Sequence, residues 1–290
     1  MRLRVTVPAT SANLGPGFDC FGLALDLCNE VVLDTGAEPA VSWEGEGADE
    51  LPTDGTDVVS RAIAAATSAR APARASVPPF ALHGVNRIPL ERGLGSSSAA
   101  AVAGTALAAA LLGPAGWDDP HTTFALAAEL EGHPDNAAAA AYGGLTVIAD
   151  GAVRRFEVHP AIRPVVLVPE DVRLPTIEAR RALPERVPMA DAVHNVAHGA
   201  LLVAAMTRGD PELLLAALRD RLHEDLRLSL VPGVRDVVHG LRRQGVPVCV
   251  SGSGPSLLAF EHDAPVPDLG HGWRVLRLAV RARGAEVAGA

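Results

Sequence analysis

The stretch "ERGLGSSSAA", Glu91 to Ala100, sets two glycines and three serines directly ahead of a run of alanines. Ala and Leu are the strongest helix formers, so Ala99–Leu112 is predicted to be a helix and the stretch a loop feeding its N-terminus. A helix start carries unpaired N–H groups and about half a positive charge, a setting that favours an anion. Glycine lets the backbone approach a ligand closely, and serine hydroxyls add donors. Two readings stand side by side: a phosphate cradle, or an ordinary serine N-cap behind a glycine turn.

The 290-residue chain is long enough for one large domain or two modest ones. With 48% hydrophobic and 20% charged residues it is globular in composition rather than disordered. A net charge of −9 and 3% aromatic residues argue against a nucleic-acid partner, which requires basic faces and stacking rings. All 25 basic residues are arginines. A Walker A loop needs a lysine on the phosphates, so any nucleotide here is held by backbone, hydroxyls, arginines and metal. Cys20, Cys28 and Cys249 form no metal or redox spacing and are expected to be buried thiols in a reducing compartment. The opening "MRLRVTVPAT" lacks a signal peptide's apolar core, and the alanine run is short and weakly apolar. A cytoplasmic protein without membrane contact is expected.

Arg2–Val7 alternates as a strand does, and Val31–Leu33, Val41–Trp43 and Phe80–His83 are predicted strands. Asp57–Arg70 is predicted as a helix. A further one starts at Asp119–Pro120, an N-cap followed by proline at the first turn, and runs to about Glu131. Leu145–Ala149 and Val153–Val158 flank an Asp-Gly hairpin signal. Near Pro160 a second half begins, giving an expected division into residues 1–159 and 160–290. Its predicted strands are Pro164–Val168, the two flanking the turn in "VPVCVSGSGPSLLAF", and Trp273–Val280. Its predicted helices are Thr176–Leu183, Met189–Arg208, Pro211–Arg219 and Gly233–Gln244. Strands and helices mix without a strict βαβ rhythm, so the expected class is α+β.

Chemistry-bearing residues gather in a few places. "PATSANLGPGFDCFGLALD" packs Asn13 and Asp19 among glycines in a turn-rich segment, either to hold a hydroxyl or ammonium or to form an Asx-turn loop. In "AAELEGHPDNAAAAAYGG" Glu129 and Glu131 close a helix, and His133, Asp135 and Asn136 fall in a tight polar turn. Carboxylates oppose the dipole at a helix C-terminus, which suggests Mg²⁺ ligation; a solvated helix end is the alternative. Thr176 and Arg180 share a helical face in "PTIEARRALP", where arginine can fork onto an anion or pair with a surface glutamate. His223 and Arg227 stand four apart in "LHEDLRLSLVPG". "SGSGPS" either closes over a site or turns a hairpin. His194 and His198 lack a third zinc ligand at the usual spacing and belong to an amphipathic helix.

The order of these elements is distinctive. "PATSANLGPGFD", then "GLGSSSAA", "EGHPDN" and "SGSGPS" resemble the three-motif pattern of the GHMP small-molecule kinases over about Pro8 to Phe260. The first and third elements look like the homoserine kinase family in particular. The resemblance implies a GHMP kinase fold: an N-terminal part like the second domain of ribosomal protein S5, and a ferredoxin-like C-terminal part. It implies ATP as co-substrate, Mg²⁺, L-homoserine as the phosphoryl acceptor in a step toward threonine, and a homodimer. Gly93, Leu94, Gly95, Ser96, Ser97 and Ser98 are implied to wrap the phosphates, with Ser97 and Glu131 at the metal. Asn13, Asp19, His133, Asp135, Asn136, Thr176, Arg180 and Arg227 are implied to surround the amino acid. Catalysis is implied to rest on Glu131, Arg180 and Asn136. Threonine or another small alcohol as acceptor, and a ligand-binding homologue without turnover, are the other expectations.

Overall fold

The computed structural model describes residues 1–70, 77–112, 119–262 and 265–290. The predicted alternation opens a longer strand, β1 (Arg2–Ala12), burying Leu3, Val5 and Val7 and exposing Arg2 and Arg4. It continues through Pro8, which sits at a register shift against β2 (Phe21–Asp34). A bulge tolerates proline because the ladder there needs no N–H. The segment predicted as turn-rich is therefore mostly strand. Thr10, Ser11 and Ala12 are fully buried and paired with β2, and tertiary pairing outweighs their turn-like composition.

After β3 (Ala40–Gly45) and α1 (Val58–Arg70), β4 (Ala81–Asn86) pairs parallel with β3 and antiparallel with β2. Helices α2 (Ser96–Leu111), α3 (Pro120–Glu131) and α4 (Pro134–Tyr142) follow. Alanine-rich α2 is buried along most of its length, because small side chains let it lie close to β1, α1 and α3 at once. Strands β5 (Leu145–Ala149) and β6 (Ala152–Phe156) form the expected hairpin, and Asp150 and Gly151 take the positive φ values of 50° and 73° that its turn needs.

The second half builds its own sheet. Strand β7 (Arg163–Pro169) is followed by α5 (Thr176–Arg181), α6 (Met189–Arg208), α7 (Pro211–Ala217), α8 (Glu224–Ser229) and α9 (Pro232–Arg243). Then come β8 (Val248–Val250), β9 (Leu257–Glu261) and β10 (Trp273–Arg277). The antiparallel order is β10–β7–β9–β8. Counted within the layer this is four-one-three-two, the ferredoxin-like order, although the described residues between β9 and β10 contain no helix. The strand predicted over Trp273–Val280 stops at Arg277, and Val280 instead bridges to Leu25 of β2. Strand β11 (Glu286–Gly289) then pairs with β1, which completes the first sheet in the order β11–β1–β2–β4–β3, with β5 on β2 and β6 on β5.

Two sheets with helices packed on them make an α+β fold, as expected. One apolar core runs under the first sheet and into the second layer. A smaller one sits between α9 and β7, β8 and β9. Among the described residues no helix is long and apolar enough to cross a membrane. Only Cys249 is fully buried; Cys20 and Cys28 are half-buried, which corrects the expectation of three buried thiols.

Candidate active site

The structure removes one of the two readings of the Gly/Ser loop, the serine N-cap. The N-cap of α2 is Gly95, in the left-handed conformation at φ 69° and ψ 27°, and no side chain caps the helix. Here glycine is required twice over: it takes a positive φ, and a Cβ would lie 2.0 Å from Thr10 Oγ1. The serines are thus free of capping duty. Ser97 Oγ donates to Glu131 Oε1 at 2.7 Å and Ser98 Oγ to Glu131 Oε2 at 2.9 Å. From below, Thr10 N donates to Leu94 O, and Ser251 Oγ donates to Gly93 O at 2.7 Å. The first amides of a sixteen-residue helix consequently face the cleft with two hydroxyls and a carboxylate beside them.

Glu131 is the last residue of α3, and Gly132 ends that helix in the left-handed conformation. The following residues do not form the expected tight turn. Helix α4 begins at Pro134, with His133 at its N-cap position and Asp135 and Asn136 in its first turn. Proline at the first helical position turns the chain straight into the next helix. Asp135 is 2% exposed, and burial pushes its carboxyl pKa up, with the nearby Asp19 adding to the shift. Asn136 Oδ1 accepts from Thr10 Oγ1 at 2.8 Å, which leaves the amide N–H₂ as the free end.

The opposite wall comes from residues 13–20 and the second layer. Asn13 and Asp19 have positive φ values of 66° and 56°, a region these two residue types enter most readily among non-glycines. The Asn13 amide is used at both ends, donating to Gly252 O at 2.9 Å and accepting from Asp19 N at 3.0 Å. Arg180 forks onto Asp19 at 2.6 and 3.0 Å, and that interaction raises the guanidinium pKa. Arg227 donates to Gly252 O at 2.8 Å. Burial pulls its pKa down to about 10, with the like charge of Arg180 adding, so it remains a cation at neutral pH. Both guanidiniums stand over the Phe18 ring, Arg180 Cζ at 5.8 Å and Arg227 Cζ at 5.3 Å from its centroid. Thr176 Oγ1 stands 3.4 Å from Ser253 Oγ in the "SGSGPS" turn, whose Gly252 and Ser253 line the cavity.

The result is a cavity of about 280 Å³ lined by residues 93–98 together with Asn13, Glu131, His133, Asp135, Asn136, Thr176, Arg180 and Arg227. Asp19, alone among the site residues the family resemblance implied, is not on its lining and reaches it through Arg180. A second cavity of about 290 Å³ shares Glu91, Ser96 and Ser97 with the first and is bounded mainly by apolar groups, including Val31, Trp43, Leu51 and Leu90. Sequence reasoning did not single out Thr10, Phe18 or Trp43, whereas Gly252 and Ser253 fall in the "SGSGPS" turn, one reading of which closes over a site. The hydroxyl in "PAT" and the aromatic in "GFD" offered a signal for the first two. The His194 and His198 rings stack 3.7 Å apart on α6, and no group of three metal-ligating side chains occurs among the described residues.

Residues 57–144 match the model of the GHMP kinase N-terminal domain, and residues 202–274 that of the GHMP kinase C-terminal domain. The homoserine kinase of Clavibacter michiganensis is 46% identical, with 90% of this chain and 83% of the relative covered. That of Streptomyces avermitilis is 44% identical over 98% and 95% of the two chains. The chain belongs to the homoserine kinase family of the GHMP kinases. The crystal structure of the homoserine kinase from Cytophaga hutchinsonii is similar at a TM-score of 0.83 and 26% identity, covering 99% of this chain and 97% of that one. A mevalonate kinase structure, at a TM-score of 0.69 and 12% identity, shares the fold. In this homoserine kinase family member the loop at residues 93–98 falls inside the matched N-terminal domain and Arg227 inside the matched C-terminal domain.

Proposed function

We propose that the protein transfers the γ-phosphoryl group of ATP to the side-chain hydroxyl of L-homoserine, giving ADP and O-phospho-L-homoserine on the route to threonine. The observation that carries this reading is a single cavity with two chemically different ends. One end is the N-terminus of α2 with Ser97, Ser98 and Glu131; the other holds Arg180 and Arg227, with the Asp19 carboxylate paired to Arg180 just behind the lining. The first suits a polyphosphate and the second a zwitterion bearing a carboxylate and an ammonium. The adjoining apolar cavity suits a nucleobase, since it opens beside the same serines.

Hydroxyl and carboxylate oxygens are the hard ligands Mg²⁺ prefers, and it commonly takes one or two carboxylates together with substrate phosphates. Glu131 and Ser97 fit that donor set. When bound, the ion would offset phosphate charge. The protein's own residues do the rest. The α2 amides bind the phosphates without a lysine. Asn136 presents its amide N–H₂ where Thr10 has oriented it. Arg180 and Asp19 already form an ion pair, and an amino acid inserted between them replaces that pair by two, one to its carboxylate and one to its ammonium. Asp135 and His133 complete the polar surround. Positioning and electrostatics account for the catalysis expected of such a site.

We extend the proposal to a cytoplasmic homodimer, supported by the exposed Met189, Val193 and Val196 on one face of α6. Sedimentation analysis reads the oligomeric state. The functional test is a coupled ADP assay over a panel of amino alcohols. Turnover that depends on both Mg²⁺ and L-homoserine is expected. Turnover with threonine, mevalonate or a sugar but not homoserine overturns the substrate, and none with any alcohol points to a ligand-binding homologue.

A further inference from the structure

Arg227 is a cation with almost no access to solvent, at 1% exposure. Its Nη1 is committed inside the protein: it donates to Gly252 O at 2.8 Å and lies 3.3 Å from His223 Nδ1. Its Nε has no protein partner among the described residues, although it is buried. One edge of the guanidinium is thus anchored, and the edge that can fork onto an anion is left over.

His223, also 1% exposed, has both ring nitrogens in fixed company. Nε2 is 2.8 Å from Gly15 O. A carbonyl oxygen only accepts and a guanidinium only donates. Nε2 therefore carries the proton and Nδ1 the lone pair, so the two contacts together admit only the neutral Nε2–H tautomer. The other charged group against the ring is Asp220, 3.8 Å from Nε2. Its oxygens are taken by the amides of Leu222, His223 and Glu224 and by Asn195 Nδ2, so it holds the start of α8 rather than the imidazole. The Phe18 ring covers the imidazole at 5.3 Å. Gly15 packs closely on the Leu218 backbone, where an added Cβ would lie 2.6 Å from Leu218 O.

We propose that His223 is a positioning residue for Arg227. The Gly15 carbonyl aims the imidazole, the Nδ1 lone pair pins Nη1, and the free edge of the guanidinium is thereby directed at the anionic end of the phosphoryl acceptor. This rests on the reading that the cavity takes an amino acid. Protonation of Nδ1 would set two cations against each other and release Arg227.

Two variants separate the ring nitrogens. The amide of asparagine reaches the Nδ1 position, and that of glutamine the Nε2 position. His223→Asn keeps an acceptor for Arg227 and should leave the homoserine KM within about threefold of the parent. His223→Gln keeps the donor to Gly15 but not the acceptor, and should raise that KM about tenfold or more, with the ATP KM unchanged in both. Equal homoserine KM values in the two variants, or parallel rises in the ATP KM, would mean that His223 only packs the loop. Nitrogen-15 NMR of histidine-labelled parent protein reads the tautomer even if neither variant folds. A neutral Nε2–H signal for His223 supports the assignment, and an Nδ1–H or doubly protonated signal overturns it. No turnover of homoserine by the parent overturns the functional reading, whereas turnover with equal effects in both variants overturns this role alone.

Discussion

Ser97 Oγ lies 2.7 Å from Glu131 Oε1, and with Ser98 it joins the first turn of α2 to the last residue of α3 by two hydrogen bonds across more than thirty positions of sequence. The opposed dipole ends of two helices meet there. A helix C-terminus is an unfavourable place for a carboxylate unless donors or a cation compensate, and the Ser97 and Ser98 hydroxyls do so in part. Glu131→Gln keeps the size and one acceptor but removes the charge. It should lower kcat by roughly 10²–10³-fold in a coupled ADP assay. Calorimetry should show homoserine affinity within about threefold of the parent, because the amino-acid end of the cavity is untouched. A variant that turns over at the parental rate would remove Glu131 from the reaction.

The Arg180–Asp19 fork makes a separate prediction. Asp19→Asn cannot balance an ammonium and leaves Arg180 without its carboxylate partner. The homoserine KM should rise about tenfold to a hundredfold, and the ATP KM should stay near its parental value. Steady-state kinetics with each substrate varied in turn checks this, and an equal rise in both constants would contradict the assignment of Asp19 to the acceptor end.

Gly95→Ala tests the loop. The new Cβ meets Thr10 Oγ1 at 2.0 Å, and the residue must hold φ 69°. A cost of about 1–3 kcal/mol in stability is expected from the strained backbone. Because Thr10 also orients Asn136, activity should fall further than ATP binding does. Thermal melts beside nucleotide titration separate the two effects.

Burial raises the Asp135 pKa above its ordinary value of 3.8. The folded protein therefore disfavours the charged form. Any stability tied to the neutral carboxyl is fully present below that ordinary value and is lost as pH rises through the folded one. Asp135→Asn does not titrate. Its melting temperature should exceed the parent's by a margin that grows with pH across this window and then levels off, while its activity falls. Melts from pH 3.5 upward, with the parent alongside, would reveal a shrinking margin if the sign were wrong.

Local chemistry made much of this fold legible. Helix α6 spans Met189–Arg208 as the periodicity predicted, and the Asp150–Gly151 hairpin forms where the turn residues demanded it. The limits came where sequence-distant groups decide. Thr10–Ala12 carry turn-like residues yet form a buried strand, because β2 lies alongside to pair with them. Asp135 and Asn136 suggested a polar turn, but Pro134 and the alanines behind them extend a helix. The last strand, β11, joins the first sheet through pairing with β1 that no local pattern announces.

The chain alone determined that any anion is met without lysine, and that glycines and serines lead directly into an alanine-rich helix. These follow from residue type and near-neighbour spacing. Only the folded molecule decided that Gly95 rather than a serine caps α2, that Asp19 is already paired to Arg180, and that His223 stands neutral behind Arg227. Each of those depends on which atoms face one another across scores of residues or across a helical turn. Direction and distance of that kind arise from packing, to which composition and periodicity are blind.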